Sequence, residues 1–222
     1  MRRVLITGAG RGIGLELARQ YAADGWEVIA TVRDPGKAGE LAALGIRVEA
    51  LDMRDFGAVA AFPGRLERRS LDLFVANAGV SKAKWIRGRE DAETWQEVHA
   101  VNAVAPTLLA EALLPLVEAA GGRMAAISSR MGSIADSSGG HIGYRASKAA
   151  LNAAWRALAL GWRERPVTLL LLHPGWVQTD MGGPQAPLQV EESVAGMRRV
   201  IAGLPRSASG AFVDYLGAPV PW

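Results

Sequence analysis

Tyr144 and Lys148 stand four residues apart in the run Tyr144-Arg145-Ala146-Ser147-Lys148. On a helix that spacing puts a phenol and an ammonium on one face, where both can look into one cleft. A free phenol ionises near about 10, too high for efficient proton exchange at neutrality. A nearby ammonium favours the phenolate, and bringing the phenol to neutrality takes about 4 kcal/mol of differential interaction. The pair could therefore move a proton. Read in isolation, it is more often a tyrosine packed at a helix start beside a solvated lysine.

Two further runs carry chemistry. In Thr7-Gly8-Ala9-Gly10-Arg11-Gly12-Ile13-Gly14 the glycines permit a sharp turn and let a pyrophosphate approach a helix N-terminus, where unpaired N–H groups and the dipole favour anions. In Ile127-Ser128-Ser129-Arg130-Met131-Gly132 a serine at a strand end could hydrogen-bond a substrate carbonyl, although serine there is commonly a turn or cap residue. No acid and histidine accompany these serines at a recognisable spacing, which disfavours a hydrolase triad.

The elements that must position these groups alternate regularly. Arg3–Thr7 reads as a short apolar strand, Gly8–Gly14 as the turn and Ile13–Ala23 as a helix. Asp24-Gly25 ends that helix and Trp26–Val32 returns as a strand. A helix over Ala38–Leu44, a strand over Arg47–Leu51, a helix over Phe56–Leu66 and a strand over Leu71–Ala76 follow, the last ending at Asn77-Ala78-Gly79. The helical stretch Glu93–Ala119 contains Pro106 and Pro115, which predicts a kink or break. Arg123–Ser128 is a strand, Tyr144–Trp162 a helix, Val167–His173 a strand, Glu191–Ala202 a helix and Ala211–Tyr215 a seventh strand. Strands apolar on both faces and separated by helices imply a parallel sheet covered on both sides. The expectation is one doubly wound α/β domain spanning residues 1–222, with a mobile loop at Gly182–Pro187.

Half of the 222 residues are hydrophobic and 21% are charged, which supports a sizeable core and excludes a disordered, collagen-like or disulfide-stapled chain. Without cysteine there is no thiolate nucleophile or ligand, and His99, His141 and His173 are dispersed, so no metal is expected. The 21 Arg and 4 Lys leave a net charge of only +3 and spread over the chain. Arg68-Arg69 and Arg198-Arg199 are pairs rather than a basic stripe, so no nucleic-acid partner is expected. No uninterrupted apolar run, Val167–Leu172 being the most conspicuous, reaches transmembrane length. Thr7-Gly8 interrupts Val4-Leu5-Ile6 before a leader could form. A cytoplasmic protein without a membrane partner is expected.

Taken in order, Thr7-Gly8-x-x-x-Gly12-x-Gly14, Asp52, Asn77-Ala78-Gly79, Asn102, Ser129, Tyr144-x-x-x-Lys148 and Pro174-Gly175 resemble the short-chain dehydrogenase/reductase family over essentially the whole chain. Ser128–Asp136 and the ending Phe212–Trp222 resemble its C-factor and carbonyl-reductase-like branch. The resemblance implies a Rossmann domain and a role for each residue. Tyr144 would be the general acid in reduction and the base in oxidation. Lys148 would lower its pKa and hold the nicotinamide ribose. Ser129 would position the substrate oxygen, and Asn102 would hold a water linking Lys148 to solvent. Thr7, Gly8, Gly10, Arg11, Gly12, Ile13 and Gly14 would cradle the pyrophosphate, while Asp52 and Met53 would meet the adenine. Asn77, Ala78 and Gly79 would line the cleft, and Pro174, Gly175, Val177 and Thr179 would flank the nicotinamide. Two departures stand out: Arg130–Gly143 is slightly longer than usual in the family, and Ala76 stands where an asparagine is usual.

The implied function is NAD(P)-dependent interconversion of a carbonyl and an alcohol, by a homodimer or homotetramer acting on a small molecule. NADP(H) is the expected cofactor, with NAD(H) possible. Arg33 lies one residue past Val32, the place where NAD-preferring relatives carry an acid, and Arg11 matches a second basic position. Asp34 lies near the distance at which an acid holds the ribose of NAD, but it precedes Pro35 and reads as a cap for the next segment. An alternative is a dinucleotide-binding signalling or regulatory protein with little turnover. The presence of Tyr144, Lys148 and Ser129 argues against binding alone. Epimerase or dehydratase relatives usually carry a substantial further substrate domain. The substrate pocket is expected from Ser81–Arg89, Arg130–Gly143 and Trp176–Leu188, with Trp85, Ile134, His141 and Trp176 as a partly apolar wall.

Overall fold

Seven strands, β1 (Arg3–Thr7), β2 (Glu27–Val32), β3 (Arg47–Ala50), β4 (Leu73–Ala76), β5 (Arg123–Ile127), β6 (Thr168–His173) and β7 (Ala211–Asp214), form one sheet in the order β3-β2-β1-β4-β5-β6-β7. Every pairing is parallel. The computed structural model describes residues 1–67, 69–82 and 85–222. Arg68 of the Arg68-Arg69 pair, and Ala83 and Lys84 of the expected pocket loop, lie outside the described residues.

Pleating sends alternate residues of each strand to opposite faces, and both faces are covered. Leu5, Ile29 and Phe74 pack under α3 (Phe56–Ala61), α5 (Ala105–Glu118) and α6 (Ile142–Gly161). Val4, Ile6, Val75 and Leu170 pack under α1 (Gly12–Ala23), α2 (Gly39–Ala43) and α7 (Val190–Gly203). All five residues of β1 are buried, as a central strand between two helical layers requires. Strand order reverses between β1 and β4. In a doubly wound sheet that reversal opens a crevice at the strands' carboxyl ends.

Several elements differ from expectation for identifiable reasons. The helix expected over 56–66 changes to a tighter 3₁₀ segment, Phe62–Leu66, at Pro63. The break expected near Pro106 is a π-helical turn, Ala100–Val104, between α4 (Arg89–His99) and α5. Pro106 has no N–H to offer the Asn102 carbonyl, so regular winding is lost there. The whole run Arg89–Glu118 is 30 residues long and, by length and composition, apolar enough to cross a membrane, although polar residues such as Asn102 and Glu111 interrupt it. Leu109, Ala110, Leu113 and Val117 of this run are fully buried within the fold, while Val104 is exposed. The Gly182–Pro187 loop, read as mobile, folds back on the strand end. Trp176 Nε1 donates to Gly182 O at 2.8 Å, and Gln178 Nε2 donates to Ala186 O at 2.8 Å.

Candidate active site

The crevice at the reversal point is built first by close backbone approach. Gly8 turns left-handed (φ +65), and a Cβ there would stand 2.8 Å from Ala78 Cα. A Cβ on Gly14 would meet Gly8 O at 2.4 Å, so no larger residue fits without rebuilding the turn. Thr7 is fully buried, and its hydroxyl accepts the Asn77 and Ala78 main-chain N–H groups, each at 3.1 Å. Asn77 Nδ2 in turn donates to Thr7 O at 2.9 Å and Gly8 O at 3.1 Å. Thr7 and Asn77 thus bolt the ends of β1 and β4 together. The first turn of α1 carries no acid and no side-chain cap, so its N–H groups are left for an anion.

This cleft has a volume of about 970 Å³, at the upper end of the size range for small-molecule sites. Of the residues expected from the sequence, Gly8, Gly10, Arg11, Gly12, Ile13, Gly14, Arg33, Asp52, Met53, Asn77, Ala78, Gly79, Tyr144, Lys148, Pro174 and Thr179 line it. Thr7, Asn102, Ser129, Gly175 and Val177 do not; they sit behind or beside its walls. Gly79 is bare where a Cβ would approach Lys148 Nζ to 3.7 Å, leaving room for a ligand beside the ammonium. An open turn at a helix N-terminus, a long cleft and a bare floor beside a cation fit a dinucleotide.

At the chemical end, β5 and α6 converge. Lys148 is buried and its Nζ donates to Ile127 O at 2.7 Å, 5.8 Å from the centroid of the Tyr144 ring. Burial pushes the Lys148 ammonium down to about 8. Burial also pushes the Tyr144 phenol above its ordinary value, and the Ser129 hydroxyl opposes that rise. Desolvation is the larger influence on the phenol, while the ammonium is turned onto the Ile127 carbonyl.

The two serines divide their work. Ser128 points inward and donates to Asn152 Oδ1 at 2.5 Å. Ser129 Oγ accepts the Met131 N–H at 3.1 Å and meets the Tyr144 phenol. Asn102 is built into the wall: its Oδ1 accepts Val80 N–H at 2.8 Å, and its Nδ2 donates to Val80 O at 2.8 Å and Ser147 Oγ at 3.0 Å. Both its amide protons are committed to protein acceptors. The side chain pins the loop after β4 to α6.

At the opposite end the charges sort themselves. Asp34 accepts the Gly36 N–H at 3.1 Å and pairs with Lys37 at 3.5 Å, so it caps the next segment as expected. Arg54 clasps Asp52 at 2.6 Å, and this pairing holds the Asp52 carboxyl below its usual range. Arg11 is paired with Asp180 across the cleft mouth at 2.7 Å. Arg33 lines the cleft and, among the described residues, forms no ion pair. Lys37, Arg54, Asp180 and Asn152 were not anticipated. Asn152 had a local signal, four residues beyond Lys148 on the same face of α6, whereas Asp180 meets Arg11 from 169 residues away.

Residues 2–188 match the family described as short chain dehydrogenase. C-signal of Myxococcus xanthus is 46% identical over 154 residues, covering 68% of this chain and 93% of that protein. The NADPH-bound carbonyl reductase from chicken fatty liver has a TM-score of 0.90 and 36% identity, covering 100% of this chain and 99% of that one. A carbonyl reductase from Pseudomonas aeruginosa in complex with NADP has a TM-score of 0.86 and 39% identity, with 100% of both chains covered. With a glycine turn, a tyrosine–lysine pair on one helix face and a seven-stranded Rossmann sheet in the order 3-2-1-4-5-6-7, the chain belongs to the short-chain dehydrogenase family of oxidoreductases.

Proposed function

We propose that the protein reduces the carbonyl group of a small molecule with NADPH. The observation that carries this reading is a half-buried phenol, Tyr144, beside the Ser129 hydroxyl, at one end of a cleft whose other end offers Arg33. When bound, the reduced nicotinamide supplies the hydride. The glycine turn Gly8–Gly14 would hold the pyrophosphate, Arg33 the additional phosphate of NADP, and Lys148 the ribose nearest the chemistry.

Ser129 would hydrogen-bond the substrate oxygen and hold it at the phenol. Tyr144 O–H gives its proton to that oxygen as negative charge develops there, so the interaction is strongest in the transition state. The Lys148 ammonium, the nearest cation to the ring, stabilises the phenolate left behind. Trp85, Ile134 and Trp176, on the loops after β4, β5 and β6, are exposed and supply an apolar rim for the carbonyl compound. The similarity to carbonyl reductases with bound NADPH or NADP supports both the cofactor and the substrate class. We extend the proposal to a cytoplasmic homo-oligomer.

The similarity to C-signal favours a second reading, a dinucleotide-binding signalling protein with little turnover. One assay separates the two. NADPH oxidation is followed across a panel of aldehydes and ketones for the wild type and Tyr144→Phe. Turnover that Tyr144→Phe reduces by about 10²–10⁴-fold, the usual contribution of a positioned acid, supports the reductase. Tight NADPH binding without turnover of any member supports the second reading.

A further inference from the structure

Ser129 opens a tight turn, Arg130–Gly132, at the start of the loop that leads to α6. The groups that hold this turn can be counted. Ser128 N–H donates to Leu172 O at 2.7 Å, and Gly132 N–H donates to Ser129 O at 2.8 Å. Met131 N–H donates to Ser129 Oγ. Between them the Arg130 N–H, the first donor after Ser129, is met by a side chain from the neighbouring strand: His173 Nδ1, at 3.2 Å.

We propose that His173 is a positioning residue for Ser129, its Nδ1 accepting the Arg130 N–H and so setting the direction in which the Ser129 hydroxyl faces Tyr144. The inference rests on the proposed reading of Ser129 as the group that binds the substrate oxygen. A main-chain N–H can only donate, so Nδ1 must carry no proton and the ring proton sits on Nε2. A charged imidazole could not make this bond. Two charged groups face the ring, the Arg130 guanidinium and the Asp214 carboxylate of β7. Burial and Arg130 together outweigh Asp214 and push the imidazole down to about 4, so it remains an acceptor at neutrality. Asn152 holds the same turn from the other side through Ser128 Oγ. With both walls fixed, the serine between them has little freedom to turn away from the phenol.

Side-chain shape provides the test. Asparagine places Oδ1 at the branch position of Nδ1 and can accept the same N–H, whereas leucine places a methyl there. His173→Leu is expected to lower kcat for the fastest aldehyde of the panel by about 10-fold or more, the equivalent of one net hydrogen bond, with NADPH affinity changed by less than about 2-fold. His173→Asn is expected to restore kcat to within about 3-fold of wild type. Isotope-edited nitrogen NMR of the wild type, which needs no variant to fold, is expected to show a proton on Nε2 and none on Nδ1 at neutral pH. Wild-type kcat in His173→Leu, equal losses in both variants, or a proton on Nδ1 would each overturn the assignment. Ser129→Ala, measured alongside, separates the two levels. If it is inactive while His173→Leu is fully active, the positioning role fails and the reductase reading stands; if Ser129→Ala keeps full turnover, the reading of Ser129 fails and the inference with it.

Discussion

Replacing Lys148 by methionine should stabilise the protein free of cofactor at neutral pH while removing its activity. The ammonium is buried with one acceptor, Ile127 O, and burial lowers it from 10.5 to about 8. At about 1.4 kcal/mol per decade, keeping it charged in the fold costs about 3 kcal/mol at a pH well below 8. Methionine has a similar length and no charge to desolvate, but it abandons the Ile127 carbonyl, a loss of about 1 kcal/mol. The net expectation is a gain of about 2 kcal/mol for Lys148→Met at pH 6.5.

The sign of the pH dependence identifies the cause. The unfolded lysine binds its proton up to 10.5 and the folded one only up to about 8, so wild-type stability rises with pH between these values. The cost is fully present below the folded value and is relieved above it. At pH 9.5 about 2 kcal/mol of it should be gone, and the advantage of Lys148→Met should fall to near zero. Urea unfolding at pH 6.5 and 9.5, followed by the fluorescence of the seven tryptophans, measures both numbers. A variant destabilised equally at the two pH values would refute the reasoning, because the ammonium would then carry no desolvation cost.

The other predictions concern how the cleft is filled and held. Arg33→Ala should weaken NADPH binding by about 10–150-fold, the worth of a charge-assisted hydrogen bond, and should cost more than Arg11→Ala, because Arg11 is already engaged by Asp180; titration with both reduced dinucleotides checks this. Thr7→Val keeps the volume but strands two main-chain donors, Asn77 N–H and Ala78 N–H, and should lower stability by about 2–4 kcal/mol in urea unfolding. Gly79→Leu should leave the thermal midpoint unchanged, since the nearest atoms to a Cβ there are at 3.4 Å or beyond, yet cut NADPH affinity at least about 10-fold by filling the space beside Lys148.

What was legible in the sequence was what depends on neighbours along the chain. Tyr144 and Lys148 share a face because of helical spacing, and the glycine turn lies between a strand and a helix because both patterns are local. Asp34 was read as a cap from the proline after it, and it caps. What escaped depends on approach across the sheet. The rise of the Tyr144 phenol reflects burial by elements remote in sequence, which no spacing of charges reveals. The partners of the Asn102 amide, Val80 and Ser147, are likewise neighbours in space that no spacing in the sequence points to. The folded-back Gly182–Pro187 loop owes its order to Trp176 and Gln178 rather than to its own residues, which are of the kind found in mobile loops.

The two ends of the cleft place opposite demands on the same fold. At the glycine turn the backbone must come close, so side chains are deleted and polar groups such as Thr7 and Asn77 are fully paired; that end adds rigidity. At the chemical end the Lys148 ammonium is buried with one protein acceptor, Ile127 O, and that end costs stability. Burial pushes both groups, the Tyr144 phenol and this ammonium, toward their neutral forms, but only the lysine is charged at neutrality, so it alone carries the cost. For the phenol, neutrality is its ordinary state at pH 7, and burial keeps it in the form an acid needs before it gives up a proton. For the lysine, a value near 8 still leaves the ammonium charged at neutrality, available to stabilise the phenolate once it forms. Burial therefore prepares the donor without discharging the cation beside it.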